Sequence, residues 1–106
     1  VFGCYLPTST SQLRPVSERE LRAYGGASLF RGKHVLDLGT GDGRLALGAA
    51  RWAREVAGAD PDPVAIRDAK RNARRAGASV RFVVAPAQAL PFRDREFDVV
   101  ILSWSL

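Results

Sequence analysis

The chain has 106 residues, 46% apolar and 25% charged, a balance that excludes a disordered or fibrous protein and leaves room for one core. Its 16 Lys and Arg against 11 Asp and Glu give a net charge of +5, scattered over helices and loops rather than gathered with aromatics into one stripe. The single Cys4 excludes an internal disulfide and a Cys-based metal site, no run approaches the ~18 apolar residues of a membrane span, and a reducing, cytoplasmic setting is expected.

Residues 1–16, "VFGCYLPTSTSQLRPV", mix Pro, Ser and Thr without periodicity and read as an irregular lead-in. Ser17 and Glu20 have the spacing of a capping box, which predicts a short helix from Glu18 to about Tyr24, ended by Gly25 and Gly26. "HVLDL" predicts a buried strand from His34, "RLALGAARWA" a helix, and "EVAGAD" a second strand ending at Asp60, together one β-α-β unit. Asp62 can cap the next helix, with Pro63 in its first turn. Val64, Ile66, Ala69, Ala73 and Ala76 should face inward, Arg67, Lys70, Arg71, Arg74 and Arg75 outward, and Gly77 should stop the helix in a left-handed turn. "SVRFVV" then predicts a third strand, "APAQALPF" a loop and "FDVVILSW" a fourth strand. Alternating strands and helices, with near-continuous apolar strands, predict a parallel sheet covered on both faces. Both ends read as cut, since the chain lacks Met and stops inside an apolar run. An unpaired sheet edge is expected beside the fourth strand.

Gly39, Gly41 and Gly43 stand where the first strand turns into a helix. Glycine there permits unusual dihedrals and removes side chains that would block a ligand, and free amides opening the helix would favour an anionic or carboxylate-bearing group. Asp60 follows Gly39 at the spacing by which an acid reaches ribose hydroxyls beside such a loop, and an ionised Asp, which only accepts, suits a diol. The alternative for Asp60 is a helix cap, a role Asp62 already fills. The nicotinamide fingerprint requires a small residue where this chain has Arg44, so the pattern is G-x-G-x-G.

With these residues in order, "VLDLGTGDGRLALGAA", "VAGADPDPVAI", "VRFVVAPAQALPF" and "FDVVILSW" resemble the successive motifs of class I S-adenosylmethionine-dependent methyltransferases, from about Arg31 to Leu106. The resemblance implies an α/β, Rossmann-like parallel sheet with helices on both faces, truncated after the fourth strand. It makes residues 17–106 a partial S-adenosylmethionine-binding domain. By the same resemblance, Asp37 lies near the amino end of the cofactor's methionine portion, and the loop of Gly39, Thr40, Gly41 and Gly43 wraps that portion. Asp60 bonds the ribose and Pro61 packs on the adenine. Asp37 has an alternative as a buried carboxylate satisfied inside the loop.

The family usually carries an acid after the third strand to meet the adenine amino group, but Pro86 stands there. Ala87 and the Gln88 amide remain as candidate contacts, and the same loop can also serve packing alone. Ser103 joins the cofactor-binding set, and Trp104 either flanks the methyl donor or packs. "Ser103-Trp104-Ser105" lacks the Pro-Pro-aromatic sequence of methyltransferases that act on base amines, so the resemblance favours a small-molecule acceptor. A nucleic-acid acceptor stays open and is not favoured. Ser103 and Ser105 lack triad partners, which rejects a nucleophilic serine. "LRPVSERELRAYGGASLFRG" resembles a helix that lids the pocket, with Tyr24 as its contact or as core. No metal and no catalytic residue are assigned. The chain is expected to carry the cofactor-binding half and to lack transfer activity by itself. The alternatives are a non-catalytic nucleoside- or S-adenosylmethionine-binding module and an NAD-dependent oxidoreductase.

Overall fold

The computed structural model describes residues 3–7, 13–16, 30–93 and 96–102. Six strands form one sheet: β1 (Gly3–Pro7), β2 (Leu13–Val16), β3 (His34–Leu38), β4 (Glu55–Asp60), β5 (Arg81–Val84) and β6 (Val99–Leu102). Two helices, α1 (Arg44–Ala49) and α2 (Pro63–Ala76), connect β3 to β4 and β4 to β5. The strand order is β2-β1-β6-β3-β4-β5. The strands β6, β3, β4 and β5 run parallel, with Leu38 opposite Ala59 and Asp60 opposite Val84. The predicted α/β, Rossmann-like parallel sheet is therefore present, and its glycine-bearing turn opens at the carboxyl edge, where ligands of such sheets bind.

The first 16 residues are not irregular throughout. β1 pairs antiparallel with β2 and with β6, setting Tyr5 opposite both Pro15 and Val100. The prolines hid this hairpin in the sequence, since Pro inside a run argues against a strand. β2, however, is the outermost strand, where a missing amide donor is tolerated. The expected bare edge beside β6 is consequently occupied by β1. The helix predicted from Glu18 to Tyr24 lies outside the described residues, as do Ser103, Trp104 and Ser105.

α2 follows its signals closely. The Asp62 carboxylate accepts from the Val64 amide at 2.9 Å, Pro63 opens the first turn, and Gly77 closes the helix at φ 65°. Ile66, Ala69 and Ala73 are buried, but Val64 and Ala76 are exposed: Val64 lies off the inward stripe, and Ala76, though on it, is the last residue of the helix. All five basic residues of α2 face solvent. α1 stops at Ala49, earlier than predicted; Gly48 weakens its last turn and residues 50–53 continue as hydrogen-bonded turns.

The core lies between the helices and the sheet: Val35, Val56, Phe82, Val99 and Ile101 from the strands meet Ala46, Ala49, Ile66, Ala69 and Ala73 from the helices. Leu36, Ala57 and Ala59 alternate to the opposite face and are buried as well. Two-sided burial explains why β3 and β4 read as continuous apolar runs.

Candidate functional site

β3 ends at Leu38, and the next five residues turn tightly into α1 with Gly39, Gly41 and Gly43 at φ 70°, 57° and 85°. The turn is bound to the end of β4. The amides of Gly39 and Thr40 both donate to the Ala59 carbonyl, at 2.8 and 3.0 Å. The Gly41 amide donates to Asp60 Oδ2 at 3.0 Å, and the Gly43 amide to the Thr40 carbonyl at 2.9 Å. At the mouth of α1 the Arg44 amide donates to the Asp42 side chain at 3.2 Å. The amides of Gly39, Thr40 and Gly41 are thus claimed by a carbonyl and a carboxylate at the end of the neighbouring strand, so these three do not stand as free donors facing an anion.

The three glycines do different things. A Cβ on Gly43 would stand 2.8 Å from the tip of the Phe82 ring and 3.2 Å from Ala69, so here glycine permits close packing of helix on strand. That is the task of the last small residue of the dinucleotide fingerprint, performed one position earlier. Arg44, which fills the fingerprint position, is instead free to extend into solvent. Gly41 meets nothing within 4 Å of its Cβ position, so its left-handed φ, and not crowding, is what requires glycine.

Asp37 is fully buried on β3, and Thr40 Oγ1 donates to its Oδ2 at 2.8 Å. This bond ties the buried carboxyl to the glycine loop. Asp60 is half-buried, with Oδ2 turned to Gly41 and Oδ1 accepting from the Asp62 amide at 2.9 Å. Asp60 and Asp62 therefore share the turn into α2, with Asp62 as the helix cap. Asn72 of α2 reaches back to donate to the Asp42 carbonyl at 3.0 Å, tying the outer side of the loop to α2.

Beside this turn lies a cavity of about 390 Å³, large enough for part of a nucleoside. Leu38, Gly39 and Ala59 contribute from the ends of β3 and β4, Pro61 from the turn before α2, and Ala85, Pro86, Ala87 and Gln88 from the loop after β5. Of the residues predicted as a site, Gly39, Pro61, Ala87 and Gln88 meet in this wall. Thr40, Gly41, Asp60, Asp37 and Gly43 are not in its lining: Gly41 is bonded to Asp60, Thr40 to the buried Asp37, and Gly43 faces Phe82 and Ala69. Ser103 and Tyr24 fall outside the described residues. The sequence reading missed Phe82 and Asn72, which support the loop from other elements, and Ala85, which lines the cavity; Pro86, singled out for standing in place of the usual acid, lines it too. Spacing along the chain carried no signal for the first two. Among the described residues no group of His, Cys, Asp and Glu could hold a metal ion.

A family model described as a methyltransferase domain matches residues 35–106, which include every element of this site. The chain belongs to that family. Its fold is that of the class I S-adenosylmethionine-dependent methyltransferases. Over 74 residues it is 46% identical to the demethylmenaquinone methyltransferase of Thermus thermophilus, a match covering 68% of this chain and 34% of that protein. The YcgJ protein of Bacillus subtilis superposes with a TM-score of 0.66 at 33% identity, over 73% of this chain and 33% of its own. The 16S rRNA N2 G1207 methyltransferase of Thermus thermophilus, solved with AdoMet and guanosine, gives a TM-score of 0.65 at 26% identity, over 74% of this chain and 21% of its own. The chain thus spans about a third of the length of the curated relative it matches. Among the described residues no helix is long and apolar enough to cross a membrane.

Proposed function

We propose that this chain supplies the S-adenosylmethionine-binding part of a methyltransferase that acts on a small-molecule acceptor. One juxtaposition carries the reading: Asp60, whose carboxylate is anchored by the Gly41 and Asp62 amides, stands in the chain between Ala59 and Pro61, which both line an apolar cavity that also takes in the side-chain amide of Gln88. An anchored, acceptor-only group suits the two hydroxyls of a ribose, and apolar walls with one amide suit a purine ring. In this reading Pro61, Ala87 and Gln88 hold the base and Asp60 the ribose. Gly39, Thr40 and Gly41 border the methionine portion, with Asp37 and Gly43 shaping the loop from below. Ser103 belongs to the same set as a further candidate.

When bound, S-adenosylmethionine supplies an electrophilic methyl group. Transfer of that methyl is an in-line displacement, so the chain's own residues contribute by holding one partner in place and keeping water out. No proton transfer is assigned to any of them. The small-molecule acceptor is supported by the relative named for demethylmenaquinone and by Ser103-Trp104-Ser105 in place of a Pro-Pro-aromatic sequence. The single Cys4 supports a reducing, cytoplasmic setting.

The test is calorimetric titration of the chain with S-adenosylhomocysteine and, separately, with NADH, with circular dichroism of the same sample to establish folding. Binding of S-adenosylhomocysteine alone is the expected result. Preference for NADH would overturn the reading in favour of an oxidoreductase. Binding of neither by a folded chain would overturn the assignment of the cavity.

A further inference from the structure

We propose that Asp60 is the latch that sets the glycine loop before any ligand arrives, so that ribose binding and loop order draw on one carboxylate. The ribose half of this statement rests on the function proposed above; the latch half does not. An ionised carboxylate offers about four lone-pair sites on its two oxygens. Two are used inside the protein, by the Gly41 amide on Oδ2 at 3.0 Å and the Asp62 amide on Oδ1 at 2.9 Å. One site on each oxygen remains, matching the two donors of a diol.

The loop residues around Gly41 are restrained by other means. Gly39 and Thr40 hang on the Ala59 carbonyl, Asp42 on the Asn72 amide, and Gly43 is wedged against Phe82. Gly41 has open space about its Cβ position and a φ of 57°, so packing does not define it. Within the turn closed by the Gly43 amide on the Thr40 carbonyl, its own amide is held by the hydrogen bond to Asp60. Asp60 is therefore a positioning residue for the loop as well as a ligand-facing one. Asn cannot replace it, because an amide has one oxygen for two donors and turns its own N–H₂ toward the second.

The experiment is amide hydrogen exchange followed by NMR on the ligand-free chain and its Asp60→Asn variant, with S-adenosylhomocysteine titrated into both. In the parent, Gly41 should exchange at least about tenfold more slowly than a free peptide amide, as a charge-assisted hydrogen bond requires. In Asp60→Asn that protection should be lost at Gly41 while the amides of Ala69 and Ala73 in α2 keep theirs. Exchange of Gly41 at the free rate in the parent would overturn the latch. So would unchanged protection in the variant, or loss spread evenly through α2 and β4, which marks a general structural role. If Asp60→Asn does not fold, the parent measurement decides. Failure of S-adenosylhomocysteine to bind a parent with a protected Gly41 would remove the cofactor reading and leave the latch standing.

Discussion

Two atoms of the Phe82 ring, Cδ1 and Cε1, lie 2.8 Å from the point where a Cβ on Gly58 would stand. Thr40 Oγ1 approaches the same point equally closely. A bare backbone in mid-β4 thus lets a side chain from β5 and one from the glycine loop meet over the sheet. Gly58→Ala should cost about 1–3 kcal/mol, the usual penalty for forcing a methyl into a filled core, read as a lowered urea midpoint. Trimming the ring in Gly58→Ala/Phe82→Leu should recover part of the loss; strictly additive losses would show that Phe82 does not set the height of the loop.

Thr40 is 5% and Asp37 0% exposed, and the hydroxyl-to-carboxylate bond between them is buried. Thr40→Val keeps the shape and removes the donor. The expected cost is about 1–3 kcal/mol, because a buried acceptor loses its hydroxyl donor. Thr40→Ser should retain most of the stability. Equal midpoints for Thr40→Val and the parent would mean that Asp37 is fully satisfied without Thr40.

Which parts of this architecture were legible in the sequence follows from the range of the forces involved. α2 was readable to within a residue because Asp62, Pro63 and Gly77 act on backbone groups two to four positions away. The β3–α1–β4 unit was readable because glycine and strand-end acids mark the turn chemistry directly. The β1–β2 hairpin was not, because what makes Pro15 acceptable is its place on the outside of the sheet, which is set by the pairing of β1 with the distant β6, Tyr5 opposite Val100. The inward turn of the loop amides was hidden for the same reason. Whether an amide at Gly41 is free depends on the end of β4, which only the sheet register brings beside it.

That hairpin makes a prediction of its own. With β1 removed, β6 would present unpaired amides and carbonyls along one side, and such an edge templates pairing with other chains. Deletion of residues 1–16 should lower the thermal midpoint and produce concentration-dependent association in analytical ultracentrifugation. A deletion variant that stays monomeric with an unchanged midpoint would show that β1 adds nothing to the sheet. Removal of this segment also perturbs the fold, so whether Tyr24 contacts the cofactor is tested separately by Tyr24→Ala, with S-adenosylhomocysteine affinity as the readout.

Arg81 and Glu96 link the start of β5 to the segment before β6. Arg81 donates to Glu96 Oε1 at 2.7 Å, and its guanidinium lies 4.8 Å over the Phe92 ring, which meets Phe97 edge-on at 5.0 Å. The Arg81 bond, together with the Arg93 amide on Oε2, holds the Glu96 carboxyl below its ordinary value of 4.5. Since the folded value is the lower one, the contribution is fully present above pH 4.5 and is lost as pH falls through the folded value. Glu96→Gln should therefore flatten the acid limb by lowering stability slightly above pH 4.5 while leaving it unchanged in strong acid, a small effect because the pair is open to solvent. An acid limb identical in both proteins would show that other carboxylates govern it.

Gln88 is exposed and lines the cavity, so its removal should separate recognition from folding. Gln88→Ala should leave the thermal midpoint unchanged, as substitutions of exposed loop residues generally do. It should weaken S-adenosylhomocysteine binding by about three- to tenfold, the worth of one neutral hydrogen bond. Gln88→Glu keeps the acceptor and discards the donor, so it reports which half of the amide meets the base. Affinity retained in Gln88→Glu and lost in Gln88→Ala means that the base donates, as the adenine amino group does. Affinity unchanged in both would move recognition to the backbone of Ala87, since Pro86 has no amide hydrogen to give.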